Sequence, residues 1–271
     1  MSAKAQTHAV NVSPLALPVG QRGEQIQQMF DRIAPRYDAA NRVMSVGVDV
    51  FWRRKAIRRL LEGLGNAPRI LDLGAGTLDG AVEIARRSPG ARVMAADFAR
   101  EMLRAGRLKL TSGGDLTARE KADGGDAAVA SSGGLARRVQ PHIADGHALP
   151  YADQAFDGAF SAFCVRNLAD LPRATRELRR VVRPGGRIAI LEFFRPDRSR
   201  FFFDKLYNAH VLPLLGWAVT GDREAYRYLP ASIAAFRSRE EYAALLRQCG
   251  FAEVDAQPLF PSGVASLVVA S

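Results

Sequence analysis

The stretch ILDLGAGTLDGAVEIARR, residues 70–87, sets Gly74, Gly76 and Gly80 with Asp72 and Asp79 between an apolar run and a helical pattern. Glycines in that position let a backbone turn sharply and approach a ligand more closely than side chains allow. The spacing is close to that of a dinucleotide-binding turn, whose last glycine seats a pyrophosphate on a helix N-terminus. Here that place holds Leu78 and Asp79, and a carboxylate repels a pyrophosphate. The loop therefore favours a ligand without phosphate and is compatible with a cationic one.

Two further carboxylates extend the pattern. Asp97 stands 21 residues beyond Gly76 at the end of RVMAAD, where it can accept hydrogen bonds from both hydroxyls of a ribose. Asp145 and Gly146, in ADGHALP, follow a third strand-like run, where an adenine amino group and ring edge can be read. Together these residues describe a nucleoside lacking phosphate, and S-adenosylmethionine fits that description. Asp72 would organise the loop and orient the amino-acid portion. Each piece also has a plainer reading: Asp97 as the cap of REMLRAG, Asp145 as the cap of a turn, the glycines as an ordinary strand-to-helix turn.

The surrounding elements must hold these residues in one crevice. RILDLG, ARVMAADF, VQPHIADG, FDGAFSAFCV and RIAILEFF read as strands. LDGAVEIARR, REMLRAGRLKL and ADLPRATRELRRVV read as the helices between them, with RPGG as a turn. Such alternation implies a parallel sheet with helices on both faces, and ligands bind such sheets beyond their carboxyl ends. SREEYAALLRQCG reads as a last helix, and FAEVDAQPL with GVASLVVAS as a hairpin adding an antiparallel edge. Ahead of the sheet, Ile26, Met29, Phe30 and Ile33 recur at helical spacing until Pro35, and a second helix spans about Val50 to Leu64.

Residues 1–22 read as a flexible leader and 23–271 as a single domain. Within it, 23–64 form an N-terminal helical lid and 199–235 an aromatic helical cover over the ligand end. Residues 111–138, rich in Gly-Gly pairs, Ser, Asp and Ala, read as a flexible insertion.

At 271 residues and 48% hydrophobic, the chain can bury a full core. No signal peptide is visible, and no run approaches the roughly 18 apolar residues of a spanning helix, so the expectation is a soluble, cytoplasmic protein. Cys164 and Cys249 lie far apart, and His8, His142, His147 and His210 form no cluster. Neither a disulfide framework nor a metal site is expected. The net charge of +10 concentrates in Arg53, Arg54, Lys55, Arg58 and Arg59, and in Arg176, Arg179, Arg180 and Arg183. These are solvated helix faces or attract an anionic membrane surface. Without an aromatic-interleaved basic module, nucleic acid is not an expected partner.

MFDRIAPRYDAANRVMSVGVDVFWRR, VRN at residues 165–167, RVVRPGGRIAILEFFRP, HVLPLLG and YRYLPASI bring these readings together. With them the chain resembles the class I S-adenosylmethionine-dependent methyltransferases. More narrowly, it is similar to the ubiquinone/menaquinone biosynthesis C-methyltransferases of the UbiE/MenG type. The likeness covers about residues 24–265 outside the insertion.

The resemblance implies an α/β, Rossmann-like fold: a mostly parallel seven-stranded sheet, helices on both faces, an antiparallel last strand, N-terminal helices and a helical cover. It implies S-adenosylmethionine as cofactor, held by Asp72, Gly74, Gly76, Thr77, Asp97, Phe98, Met102, Asp145, Gly146 and Ala162. Tyr37, Asp38 and Asn41 fall in the lid and face the substrate. The implied reaction methylates a ring carbon of a polyprenylated hydroquinone, demethylmenaquinol or 2-polyprenyl-6-methoxy-benzoquinol. Losing a phenolic proton makes that carbon more nucleophilic, and a fixed cation stabilises the phenolate. Arg166 is the candidate cation and Asn167 the group orienting a ring oxygen. Arginine keeps its proton, so a water or a carboxylate must accept the phenolic one. The plainer reading of the pair is a strand-end salt bridge and a helix cap.

A prenylated substrate resides in a bilayer. The expected partners are therefore that quinol, an anionic membrane at its cytoplasmic face, and a second copy of the chain as a homodimer. The basic N-terminal helix and RFFFDKLY, residues 200–207, are the candidate membrane contact. Four positions depart from the family pattern. Leu78 replaces a glycine, Asp49 a histidine and Ala162 a cofactor-contacting serine, and the tail LFPSGVASLVVAS lacks its histidine.

Overall fold

The computed structural model describes residues 19–45, 47–111, 132–196, 223–259 and 265–271. Seven strands form one sheet in the order β3-β2-β1-β4-β5-β7-β6. They are β1 (Arg69–Leu73), β2 (Arg92–Asp97), β3 (Val139–Ile143), β4 (Phe156–Ala162), β5 (Val182–Phe193), β6 (Val254–Pro258) and β7 (Ala265–Ala270). The first five pair in parallel. β7 runs antiparallel to both β5 and β6, as the hairpin reading required. β7 is buried at every position because both its faces are covered, whereas edge strand β3 buries only one residue.

Nine helices are described: α1 (Val19–Ile33), α2 (Tyr37–Met44), α3 (Val48–Leu61), α4 (Asp79–Arg87), α5 (Arg100–Thr111), α6 (Ser132–Arg138), α7 (Leu171–Val181), α8 (Arg223–Ala235) and α9 (Arg239–Gln248). Alternate strand residues feed two cores. Ile70, Val93, Phe160 and Leu267 pack with α3–α6, and Leu71, Ala159, Ile188 and Val268 with α7 and α9. Local chemistry sets the helix starts. Asp170 caps α7 by accepting from the Arg173 N–H, and Ser238 with Glu241 forms a capping box on α9.

Three boundaries differ from the sequence reading. α1 begins at Val19, inside the segment read as leader. Residues 132–138, read as the end of a flexible insertion, form α6. Leu135 is buried in the core there, and the Arg138 guanidinium donates to the carbonyls of Ala85 and Ser88 at 2.6 and 3.3 Å. RPGG is a bulge within β5: Phe156 pairs with Val182 but Gly158 with Arg187, and Gly185 (φ +70°) absorbs the extra residues. Residues 1–18 of the leader, 112–131 of the insertion and 199–222 of the cover, with RFFFDKLY and His210, lie outside the described residues.

The basic runs serve the fold itself. On α3, Arg53 pairs with Asp49 and Asp79, Arg54 with Glu83 and Arg59 with Asp255, while Lys55 donates to Gln257. On and after α7, Arg180 pairs with Glu177 and Asp153, and Arg183 with Asp157. Among the described residues no helix is long and apolar enough to cross a membrane, and no group of metal-ligating side chains forms.

Candidate active site

The strand order reverses between β1 and β4, and a crevice opens beyond the carboxyl ends of strands at such a point. Leaving β1, the chain turns at Gly74 (φ +71°) and Gly76 (φ +52°). A Cβ on Gly74 would lie 2.2 Å from the Cys164 sulfur beyond β4, and one on Gly76 3.3 Å from the Met102 methyl. Only glycine meets both demands at residue 74.

The Gly76 N–H donates to Asp97 Oδ2 at 2.7 Å, and the Ala99 N–H to Asp97 Oδ1 at 2.8 Å. The carboxylate thus ties the loop to the end of β2, and its remaining lone pairs serve the cavity it lines. Asp97 is not the cap of REMLRAG: it stands three residues before Arg100, and the first-turn N–H of Glu101 donates to Asp31 Oδ1 at 3.0 Å instead. Burial pushes Asp97 up to about 6, against the backbone N–H bonds that favour its ionised form.

Leu78 also lies in the left-handed region (φ +68°), yet its side chain is fully buried away from the crevice. It packs over Gly106 of α5, where a Cβ would come within 2.5 Å of Leu78 Cγ. The departure from glycine therefore leaves the crevice open.

That crevice is a cavity of about 450 Å³. Gly74, Gly76, Asp97, Phe98, Met102, Asp145, Gly146, Ala162, Tyr37 and Asn167 line it, as the sequence reading expects. Asp72, Thr77, Asp38, Asn41 and Arg166 do not line it. Asp72 lies 2% exposed under the first turn of α4, its Oδ2 without a hydrogen-bond partner and 2.8 Å from a Cβ built on Gly80. Burial raises this carboxyl to about 7, Arg53 opposing and Asp97 adding to the rise. Thr77 Oγ1 donates to Asp38, whose other oxygen pairs with Lys109 at 2.6 Å. Lys109 in turn holds Asp79 at 2.6 Å, and Asp79 faces Arg53 at 3.6 Å. This run of charges fastens α2 and α3 to the glycine loop. Asn41 hydrogen-bonds Tyr37, the aromatic of that segment which reaches the cavity.

Arg166 and Asn167 sit in a 3-10 turn, Val165–Asn167, beyond β4. The Arg166 guanidinium is 7% exposed and donates to Glu192 Oε1 at 2.5 Å and to the Phe163 carbonyl at 2.8 Å. Burial works against its charge, and the Glu192 carboxylate together with Tyr228 and Tyr37 outweighs that, so the guanidinium stays charged. The salt-bridge reading of Arg166 is correct. The helix-cap reading of Asn167 is not, because Asp170 caps α7. Asn167 instead accepts from the Tyr228 hydroxyl at 3.0 Å.

Several wall residues were not singled out from the sequence. Phe163 (φ +56°) and Cys164 follow β4, and applying the strand-end rule to that strand would have found them. His147 Nδ1 bonds Asp145 Oδ1 at 2.6 Å while its Nε2 accepts from the Asp170 N–H at 3.0 Å, joining the β3 loop to α7. Gln27 and Phe30 reach the wall from α1. Nothing in the local sequence announces them.

A glycine-walled crevice at the switch point of a sheet in this order, with carboxylates at successive strand ends, defines a class I S-adenosylmethionine-dependent methyltransferase. A solved S-adenosylmethionine-dependent methyltransferase from Thermotoga maritima shares the fold, with a TM-score of 0.58 at 17% identity over 91% of this chain and 99% of that one. The chain belongs to the ubiE/COQ5 methyltransferase family, whose sequence profile matches residues 19–270. It is 43% identical to the demethylmenaquinone methyltransferase of Thermus thermophilus over 225 residues, 82% of this chain and 91% of that one. It is 38% identical to the ubiquinone/menaquinone biosynthesis C-methyltransferase UbiE of Geotalea daltonii over 236 residues, 85% and 89% of the two chains.

Proposed function

We propose that the chain transfers a methyl group from S-adenosylmethionine to a ring carbon of a polyprenylated hydroquinone, demethylmenaquinol or 2-polyprenyl-6-methoxy-benzoquinol, in menaquinone or ubiquinone biosynthesis. The observation that carries this reading is one continuous cavity. The glycine loop, Asp97, Tyr37, Phe163 and Asn167 all line it. The substrates named for the relatives agree with it.

The residues present fit the cofactor. Gly74 and Gly76 leave backbone exposed where a Cβ has no room or little, Asp97 has lone pairs for ribose hydroxyls, and Asp145 with Gly146 meets the base. Ala162, Phe98 and Met102 complete the wall. When bound, S-adenosylmethionine supplies an activated methyl group on a cationic sulfonium. The chain must align an electron-rich ring carbon with it and exclude water. Asn167 and Tyr37 orient the ring oxygens. Tyr37, raised by burial, keeps its proton and acts as a donor. The charge of Arg166 is matched by Glu192, so its role is to anchor the turn that carries Asn167, in place of the free cation expected from sequence.

A prenylated acceptor stays in its bilayer, and the reading includes peripheral contact with an anionic membrane from the cytoplasmic side. Co-flotation with anionic vesicles at low salt, lost at high salt, is the expected result.

Incubating the protein with S-adenosylmethionine and a quinol extract from cells lacking the gene tests the assignment. Those cells accumulate a quinone one methyl lighter, and the incubation converts it. Methylation confined to water-soluble phenols would reassign the acceptor. Cofactor binding without any transfer would sink the catalytic reading.

A further inference from the structure

Helix α8 presents Tyr228 and Ser232, four residues apart and therefore on one helix face, to the turn beyond β4. The Tyr228 hydroxyl donates to Asn167 Oδ1 at 3.0 Å. Ser232 Oγ donates to the Leu229 carbonyl at 2.8 Å and accepts from Arg166 Nε at 3.4 Å. Both side chains are buried, 5% and 2% exposed. We infer that Tyr228 and Ser232 are positioning residues for methyl transfer: the cover helix fixes the orientation of the Asn167 amide at the cavity wall and braces Arg166 behind it. This rests on the acceptor reading above.

An amide offers an acceptor at one end and donors at the other, and its partners decide which end faces where. Burial pushes Tyr228 up to about 12, so its hydroxyl keeps its proton at neutral pH. It donates to the amide oxygen and so turns the nitrogen away from itself. Asn167 Nδ2 has one long contact, 3.4 Å to the Phe163 carbonyl. A second N–H is then left, on a residue that lines the cavity, for an oxygen of the acceptor ring.

The direction matters chemically. A donor stabilises a ring oxygen that gains negative charge, whereas a reversed amide would set its own oxygen against it. Tyr228 also packs with Ile26, Met29 and Ile33 of α1. The amide is thus oriented by a residue of the cover helix that packs against the lid helix, and its productive state requires both to be in place.

Tyr228→Phe keeps the ring and removes the donor. The expected result is a kcat lower by about 10- to 100-fold, with cofactor Kd unchanged within about twofold. Adding Tyr228→Phe to Asn167→Ala should cost less than about twofold more, because no amide remains to be oriented. Equal losses in both backgrounds would mean a merely structural role and overturn the inference.

A second arm reads the amide directly. In 15N-labelled protein the side-chain NH2 pair missing from Asn167→Ala identifies Asn167. Tyr228→Phe should shift that pair and speed its exchange with solvent by about tenfold. Unchanged resonances overturn the inference whatever the acceptor. A wild-type protein that binds cofactor and methylates no quinol removes the acceptor reading instead, and the amide arm still decides the orientation.

Discussion

Two buried aspartates show how one side-chain type does different work. Asp97 accepts N–H groups at both oxygens and lines the cavity, whereas Asp72 lies beneath α4 with one oxygen unpartnered. Asp97→Ala should weaken S-adenosylmethionine binding by about 1 to 3 kcal/mol in a calorimetric titration. In the wild type, affinity should also fall as the pH drops through about 6, where Asp97 takes up a proton and loses acceptor capacity. The variant should lack that dependence, and an identical pH profile would show that another group controls binding. For Asp72 the consequence concerns folding. Its carboxyl is raised to about 7 in the folded chain from an ordinary 3.8, so between these values the folded state holds a proton that the unfolded state has released. Stability from this group is therefore lost as pH rises toward 7 and regained on acidification, by at most about 1.4 kcal/mol per pH unit. Thermal melts from pH 8 to 5 should show the wild type gaining on Asp72→Asn. Parallel curves would refute the shift.

At the scale of elements, Leu78 and Gly106 form a complementary pair joining the start of α4 to α5. The leucine accepts a left-handed backbone, costing about 1 to 2 kcal/mol, and fills space that only a glycine on α5 leaves free. Leu78→Gly relieves the backbone and empties the pocket, and emptying a leucine site costs about 2 to 5 kcal/mol. The variant should be less stable on balance and bind cofactor within about twofold of wild type, because the side chain lies outside the cavity. Large loss of binding with unchanged stability would contradict that placement. This pairing explains what the sequence could and could not reveal. RILDLG and RVMAAD were readable because buried parallel strands are continuous apolar runs, and their ends located Gly74 and Asp97. The direction of Leu78 was unreadable, since it depends on a glycine 28 residues later in another helix. Likewise α6 was hidden by its Ser-Gly-Gly composition, because its stability comes from Leu135 and Arg138 docking on the rest of the fold.

Across the whole molecule, charge and the lid obey the same long-range logic. The arginine runs look like free basic faces in the linear sequence, yet Glu83, Asp157 and Asp255, distant along the chain, come back to meet them. The sequence reading makes 23–64 a lid, but the amphipathic pattern of α1 fixes a buried face without naming the residues it covers. In the fold α1 supplies Gly23, Glu24, Gln27 and Phe30 to the cavity wall. Two polar latches hold it across 71 and 70 residues of sequence: Gln27 Nε2 donates to the Phe98 carbonyl at 3.0 Å, and Asp31 Oδ1 accepts from the Glu101 N–H at 3.0 Å. Both latches land on the segment that follows Asp97, and we propose that closure of α1 and retention of the cofactor are one equilibrium. Removing both with Gln27→Ala and Asp31→Ala costs about 1 to 3 kcal/mol of closed state, roughly 5- to 150-fold in population. Cofactor dissociation followed by stopped flow should accelerate in that range, with association changed far less. In the wild type, saturating cofactor should slow hydrogen exchange across 19–33, and the double variant should lose most of that protection. If α1 exchanges at the same rate with and without cofactor, it is a fixed wall and the ligand enters by another route.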